Sequence, residues 1–498
     1  MPKLNGIFSR LALLLILAGC KQDSPKPIDP VKEEPTILDS VNMLFKDVYL
    51  WNNLIDQSLD ANAFENRANS ENSLRSYIDA MAYTAINPAT QLPYEFDAEN
   101  LGRARYSTFI SRNSVSATTA DFGFTITTVP SLNEYRILYV KKGSRVSDMG
   151  VKRSDRVMCI NDKNVSELTA ENTAYIRNAL QQEKIKLCIA NTTDETYTVE
   201  VEKTRYGTGT ILKDTILAIG DKRIGYLALL SFPMLNHNIR SQIDQVFKRF
   251  SSDNITYLVV DLRYNTGGYV STSRHIANLI IPARFDGEKM YHLAYNGIMR
   301  NRQQKYLKDF KVLDFLGMPE YKDDGSFLSY ADYDYSEMAN TFYFDKKGTL
   351  DNIESIYYVV SGQTASAAEL LINNISPHVP SKLIGRKTYG KPVGYFAIDL
   401  GDYSIYLSSF LAYNSVDRGE YYSGFPVDMD EVDDVTTDFG SLNDPAIVRV
   451  IEDLFPQKKS KEARMSISRS QTRQNKHEVF GPIGNKHFVG MIEDLKRN

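Results

Sequence analysis

The stretch Ile356-Tyr357-Tyr358-Val359-Val360-Ser361-Gly362-Gln363-Thr364-Ala365-Ser366-Ala367-Ala368-Glu369-Leu370-Leu371 decides how the rest of the chain is read. Ile356 to Val360 is a short apolar run, the pattern of a buried strand, and Ser361 to Thr364 is a turn. Ser366 to Leu371 has helix-forming composition. Ser366 therefore sits where a strand hands over to a helix, beside N-terminal N–H groups that favour negative charge. A glycine-flanked loop follows, Arg386-Lys387-Thr388-Tyr389-Gly390-Lys391-Pro392-Val393-Gly394, with Lys391 placed 25 residues after Ser366. A serine hydroxyl needs a base to become a nucleophile, and a lysine can be that base when burial keeps it neutral. The Ala367 N–H is placed to donate to an oxyanion, and a glycine turn can supply a second donor. The same residues also fit a plain helix cap, with Glu369 as the capping-box partner of Ser366.

Working outward, Lys222 to Phe232 reads as a buried strand and Ile239 to Phe250 as a helix. Ile255 to Gly268 is a second buried strand ending in the turn Gly267-Gly268, and a helical stretch follows. Strand, turn and helix thus recur, which predicts an α/β core with a mostly parallel sheet. Both turns fall at strand C-terminal ends, where such sheets carry their functional loops. Residues 283–352 form an aromatic and charged insertion, expected to be surface decoration and otherwise a lid or substrate wall. The acidic run to Asp438 reads as a solvated loop; its spacing is not that of a known calcium loop. Asp444-Pro445 opens a last helix to about Phe455. The tail, 456–498, carries ten Lys/Arg against four Asp/Glu and reads as disordered or loosely docked.

Upstream, Val41, Leu44, Phe45 and Val48 make one helix face, and a second helix is expected near 73–83; together they predict a small helical N-terminal region over 37–110. Trp51 reads as a core residue. Residues 115–205 are β-rich, with strands at Phe122 to Val129, Tyr135 to Val140, Arg156 to Asn161, Ile185 to Ala190 and Thr196 to Val201, and one helix near 169–182. Residues 21–36 are proline- and charge-rich, the composition of a flexible tether.

The chain has 498 residues, 42% hydrophobic and 24% charged, enough for two or three globular domains. A net charge of −4 exerts no whole-chain pull on nucleic acid or anionic lipid. Six histidines are scattered, and no Cys/His group has metal-ligand spacing. Of three cysteines, Cys159 and Cys188 lie in strand-like runs and read first as small buried hydrophobes; a disulfide between them is open in an oxidising compartment.

Three resemblances organise these readings. Leu17-Ala18-Gly19-Cys20, after a short apolar run, resembles a bacterial lipoprotein signal; this implies a signal peptide over 1–20 and lipid attachment at Cys20. The mature chain would be anchored in the cell envelope outside the cytoplasm, at the periplasmic side of the outer membrane or the cell surface. Gly143 to Val165 resembles a PDZ domain of the bacterial protease type, with Phe122-Gly123-Phe124 at the position of the carboxylate-binding loop and Arg153-Ser154 where the family carries Pro-Gly.

With Asp261-Leu262-Arg263-Tyr264-Asn265-Thr266-Gly267-Gly268, Thr364-Ala365-Ser366-Ala367-Ala368-Glu369 and Thr388-Tyr389-Gly390-Lys391, the chain from about 115 to 445 resembles the C-terminal processing peptidases, or tail-specific proteases. The resemblance implies a peptidase core over 207–455 of the ClpP/crotonase-like kind, beside a PDZ-like domain. It implies Ser366 as nucleophile, Lys391 as general base, Ala367 and Gly268 as oxyanion donors, and Glu369 as a residue that orients the lysine. Protein substrates would enter by their C-termini, and no cofactor, metal or nucleic acid is implied. Two positions depart from the family: Tyr395 stands where other members have glutamine, and Pro392 replaces glycine. Two rival readings remain: a catalytically inactive peptide- or ligand-binding lipoprotein on the same fold, and a peptidase whose base is His378 or His275.

Overall fold

In the computed structural model, alternate residues of the central strands are buried in two different cores. Leu258 and Val260 belong to one, with Ile243, Phe250, Ile276 and Leu370. Tyr257 and Val259 belong to the other, with Ile447 and Val450. A strand has a side-chain period of two, so an apolar run without polar interruptions must be covered on both faces. The structure describes residues 35–65, 70–112, 120–206, 210–314, 317–456, 478–480, 490–493 and 495. The signal segment, Cys20 and the tether to residue 34 lie outside them.

The central sheet has six strands in the order Met429–Asp430, Ser381–Gly385, Ser355–Val360, Tyr257–Asp261, Lys222–Leu229 and Ile211–Ile219. Every pairing is parallel except the last, which is antiparallel. The helices His237–Ser252, Val270–Ile280 and Ala367–Ile375 contribute to the first core and Pro445–Leu454 to the second. The expected α/β core is therefore present, with its two turns at the C-terminal ends of neighbouring parallel strands.

The N-terminal helices run Ile37–Asp47 and Ser70–Thr84. Residues 120–206 form an antiparallel sheet in the order Phe124–Val129, Glu134–Val140, Arg156–Ile160, Lys184–Ala190 and Thr196–Glu202, with the helix Ala170–Ala179 against it. All five strands fall where the pattern predicts them.

Four expectations are corrected. Cys159 and Cys188 face each other in register on adjacent strands, 4.8 Å apart at Cα, and form a disulfide. The insertion is not surface decoration. Its strand Lys289–Tyr295 is central in a four-stranded sheet that also holds Phe410–Asn414 and Val393–Gly394, the strand just after Lys391. Met290, Tyr291 and Leu293 are fully buried there. The acidic run is not simply solvated: Asp433 accepts from Arg153, Arg263 and Tyr264. Finally, the tail is ordered in two places. Val479–Phe480 pairs antiparallel with Phe124–Val129, and Gly490–Ile492 pairs parallel with Gly267–Tyr269.

Candidate active site

Ser366 takes a backbone conformation that side chains disfavour. It follows the parallel strand and precedes the helix at φ 62°, ψ −120°, a conformation L-residues with a Cβ avoid at a cost of about 1–3 kcal/mol. Such strain at a strand-to-helix turn is how a fold lifts a nucleophilic hydroxyl out of the chain. The side chain is fully buried and its Oγ has no hydrogen-bond partner among the described residues. Glu369 does accept from the Ser366 N–H, at 2.9 Å, as a capping-box partner would.

That carboxylate does more than cap. Glu369 Oε2 also accepts from the Lys391 N–H at 2.8 Å, and Oε1 accepts from the Gly390 N–H at 2.7 Å and the Thr388 hydroxyl at 2.5 Å. One buried oxygen thus gathers the main chain of Ser366 and Lys391, which are 25 residues apart. Burial pushes the Glu369 carboxyl up, against the Thr388 hydroxyl and three backbone amides that favour its ionised form. Glu369 positions the lysine through its backbone; its four hydrogen bonds go to groups other than the ammonium.

Lys391 is 1% exposed. Burial lowers its pKa to about 7, while the charges of Glu95 and Glu369 pull the other way. Its Nζ lies 4.0 Å from the centre of the Tyr395 ring and 5.8 Å from that of Tyr106. An aromatic face thus adjoins the amine.

The glycine turn comes to the same point. A Cβ on Gly267, at φ +100°, would stand 2.9 Å from the Ser366 Cβ, and one on Gly268 would stand 1.9 Å from the Phe232 carbonyl oxygen. No side chain fits at either position. Asn265 locks the turn: its Oδ1 accepts from the Gly267 N–H at 2.9 Å, its amide donates to the Leu229 carbonyl at 3.1 Å, and its own carbonyl accepts from the Ala365 N–H at 3.1 Å. Ala367 is the first residue of its helix, where amides have no intrahelical acceptor.

Three residues near the site escaped the motif reading, all from the N-terminal region. Glu95 is fully buried, accepts from the amides of Tyr106 and Ser107 and from the Ser107 and Ser408 hydroxyls, and is the charge that acts most strongly on Lys391. Arg105 donates to the carbonyls of Tyr389 and Tyr422, and the Tyr106 hydroxyl donates to that of Gly390, at 2.7 Å. An acid between two aromatics, Tyr94-Glu95-Phe96, is the sequence trace of this contribution.

The histidines lie elsewhere. His275 Nε2 is 2.7 Å from Asp244 Oδ1, and His378 Nε2 is 3.1 Å from the Ser415 hydroxyl. Neither has a hydrogen bond to Ser366. Phe122-Gly123-Phe124 does lead into the edge strand, with Gly123 at φ +79°. However, the Gly123 N–H donates to Asp121 Oδ1 at 2.7 Å. The central amide of that loop is thus bonded to the side chain two residues before it.

Residues 223–428 match the family model described as peptidase family S41. A crystal structure of a proposed S41 protease from Bacteroides fragilis is similar at 18% identity and a TM-score of 0.60, over 86% of this chain and 99% of that one. This likeness shows a common fold. The photosystem II D1 C-terminal processing protease is similar at 14% identity over 80% and 94% of the two chains, with a TM-score of 0.40. A lipoprotein from Streptococcus agalactiae is similar at 13% identity over 59% and 84%, with a TM-score of 0.31. The last two resemblances in shape are too slight to argue from. No curated protein matches the chain.

Proposed function

We propose that this chain, whose residues 223–428 match the model of peptidase family S41, is a serine endopeptidase working by a Ser366–Lys391 dyad. The observation that carries the reading is the single Glu369 oxygen bonded to the amides of both residues, beside a lysine held near neutrality. Neutral Lys391 takes the Ser366 proton as Oγ attacks the scissile carbonyl carbon. The tetrahedral oxyanion is met by the N–H groups of Ala367 and Gly268. The protonated lysine then gives its proton to the leaving amine, and water hydrolyses the acyl-serine by the same steps in reverse.

The module at 120–206 acts as a PDZ-like substrate receptor. A peptide adds as a strand to the edge of Phe124–Val129, so main-chain hydrogen bonds give affinity and side-chain pockets give selectivity. With the amide of Gly123 engaged, capture leans on that edge more than on a terminal carboxylate. Lipid attachment at Cys20 would hold the enzyme in the cell envelope, and the Cys159–Cys188 disulfide suits an oxidising compartment.

The test is cleavage of an unstructured protein by wild type, Ser366→Ala and Lys391→Ala. Activity confined to wild type is the expected result; equal activity in all three would sink the dyad. For the anchor, Cys20→Ser should move the protein from the membrane to the soluble fraction of the envelope.

A further inference from the structure

Both peptide sites of the proposed enzyme are filled by its own C-terminal tail. At the module, Val479–Phe480 extends the sheet beyond Phe124–Val129, in the antiparallel sense, with Ile126 opposite Phe480 and Thr127 opposite Val479. The Thr128 N–H donates to the Glu478 carbonyl at 2.8 Å, and the Thr128 hydroxyl accepts from the Glu478 N–H at 2.8 Å. Phe480 is 3% exposed, joins the module's core and packs on Tyr135. Arg177, on the helix Ala170–Ala179, covers the Phe480 ring and pairs with the Glu478 carboxylate. Strand edge on one side and helix on the other make a groove, and the tail lies in it.

At the catalytic end, Gly490–Ile492 runs parallel to Gly267–Tyr269, pairing Gly490 with Gly267 and Met491 with Gly268. On its other side the Tyr395 N–H donates to the Met491 carbonyl at 3.0 Å, and the Tyr395 carbonyl accepts from the Glu493 N–H at 3.1 Å. The tail is thus hydrogen-bonded between the oxyanion turn and the residue whose ring faces Lys391. The point where a Gly267 Cβ would stand is 2.2 Å from the Gly490 carbonyl oxygen and 2.9 Å from the Ser366 Cβ. The tail's carbonyl and the Ser366 side chain therefore border the same point beside the glycine turn. Met491 is fully buried in the main core, and Ser366 is sealed from solvent.

We propose that residues 478–480 and 490–493 are a peptide ligand bound in cis at both sites, and that this tail holds the full-length enzyme self-inhibited until substrate displaces it. The proposal rests on the peptidase reading above. It also assigns a selectivity: the module groove takes an acidic residue two before an aromatic one, as in Glu478-Val479-Phe480, within a chain rather than at its end. A tethered segment acts at an effective concentration of about 1 mM, so a tail of about 100 µM intrinsic affinity leaves about a tenth of the sites open.

The experiment uses full-length protein. Met491→Asp places a charge in a fully buried position and should expel the strand; Phe480→Asp does the same at the groove, so a folding defect in one leaves the other. Thermal melting checks that each is folded. Cleavage of an unstructured protein should rise about tenfold in these variants, and a synthetic peptide of residues 478–493 should lower it again. Fluorescein-labelled peptide should bind Ser366→Ala/Met491→Asp saturably and Ser366→Ala alone hardly at all. Equal cleavage rates in folded variants and wild type, or equal peptide binding with and without Met491→Asp, would overturn the tail proposal. Peptide binding that tracks the tail, in a protein with no Ser366-dependent cleavage, would support the tail and sink the dyad instead.

Discussion

Two groups of buried cations in this molecule have opposite fates. Arg153 and Arg263 are 4% and 3% exposed, and each meets carboxylate oxygens with its guanidinium: Arg153 binds Asp433, and Arg263 binds Asp261, Asp433 and Asp444. Their charges stay, and they hold the Asp433 carboxyl far below the usual range despite its burial. Lys391 is as deeply buried, and the two carboxylates whose charges act on it bond amides and hydroxyls: Glu369 those of Ser366, Thr388, Gly390 and Lys391 itself, Glu95 those of Tyr106, Ser107 and Ser408. Burial then lowers the lysine towards neutrality. Burial alone makes neither a base nor a latch; what the neighbouring carboxylates are already bonded to decides between them.

The contrast can be broken most sharply at the dyad. Lys391→Met and Ser366→Ala should each cut kcat/KM for an unstructured protein by about 10³-fold or more. At the latch, Arg153→Met should leave Asp433 with one guanidinium fewer and lower stability by about 3 kcal/mol, read by urea denaturation at neutral pH. A stability gain there would erase the distinction.

Lys391→Met should do the reverse and stabilise the fold at neutral pH by about 1–3 kcal/mol, because it removes a costly buried amine. The pH dependence has the same origin. Lysine ordinarily titrates at 10.5 and Lys391 at about 7, so between those values the unfolded chain binds more protons. Stability should fall as pH falls through that window and level off below about 7, and Lys391→Met should abolish the slope. The smallest effect is on rate. Since the base is the neutral amine, kcat/KM should rise about tenfold per pH unit below about 7 and reach a plateau above it. A flat profile from pH 5 to 9 would remove Lys391 as the base.

How much of this was legible beforehand follows from what each feature depends on. The strands and helices of the core and the module came from local pattern, because period-two apolar runs and capped helices are set by near neighbours. Ser366 and Lys391 stood out because their surroundings are short-range motifs. Glu95 and Arg105 did not, since Arg105 meets Tyr389, 284 residues away, and Glu95, beside its near partners Tyr106 and Ser107, meets Ser408, 313 residues away. The acidic run misled for the same reason: Asp433 reads as solvated until Arg153 and Arg263 reach it from two other elements. The tail misled because residues 478–480 and 490–493 have little periodicity of their own and become strands by lying on edges that other segments provide.

The sequence by itself determined that this is an α/β chain with a strand-turn-helix serine, a glycine turn and a loop lysine, because side-chain period, turn chemistry and cap residues act over a few positions. The tertiary structure alone decided that Glu369 meets Lys391 through its backbone, that an aromatic ring faces the amine, and that Gly490–Ile492 pairs with the glycine turn. Those outcomes depend on which polar groups are left to satisfy one another once distant segments have packed and water is gone.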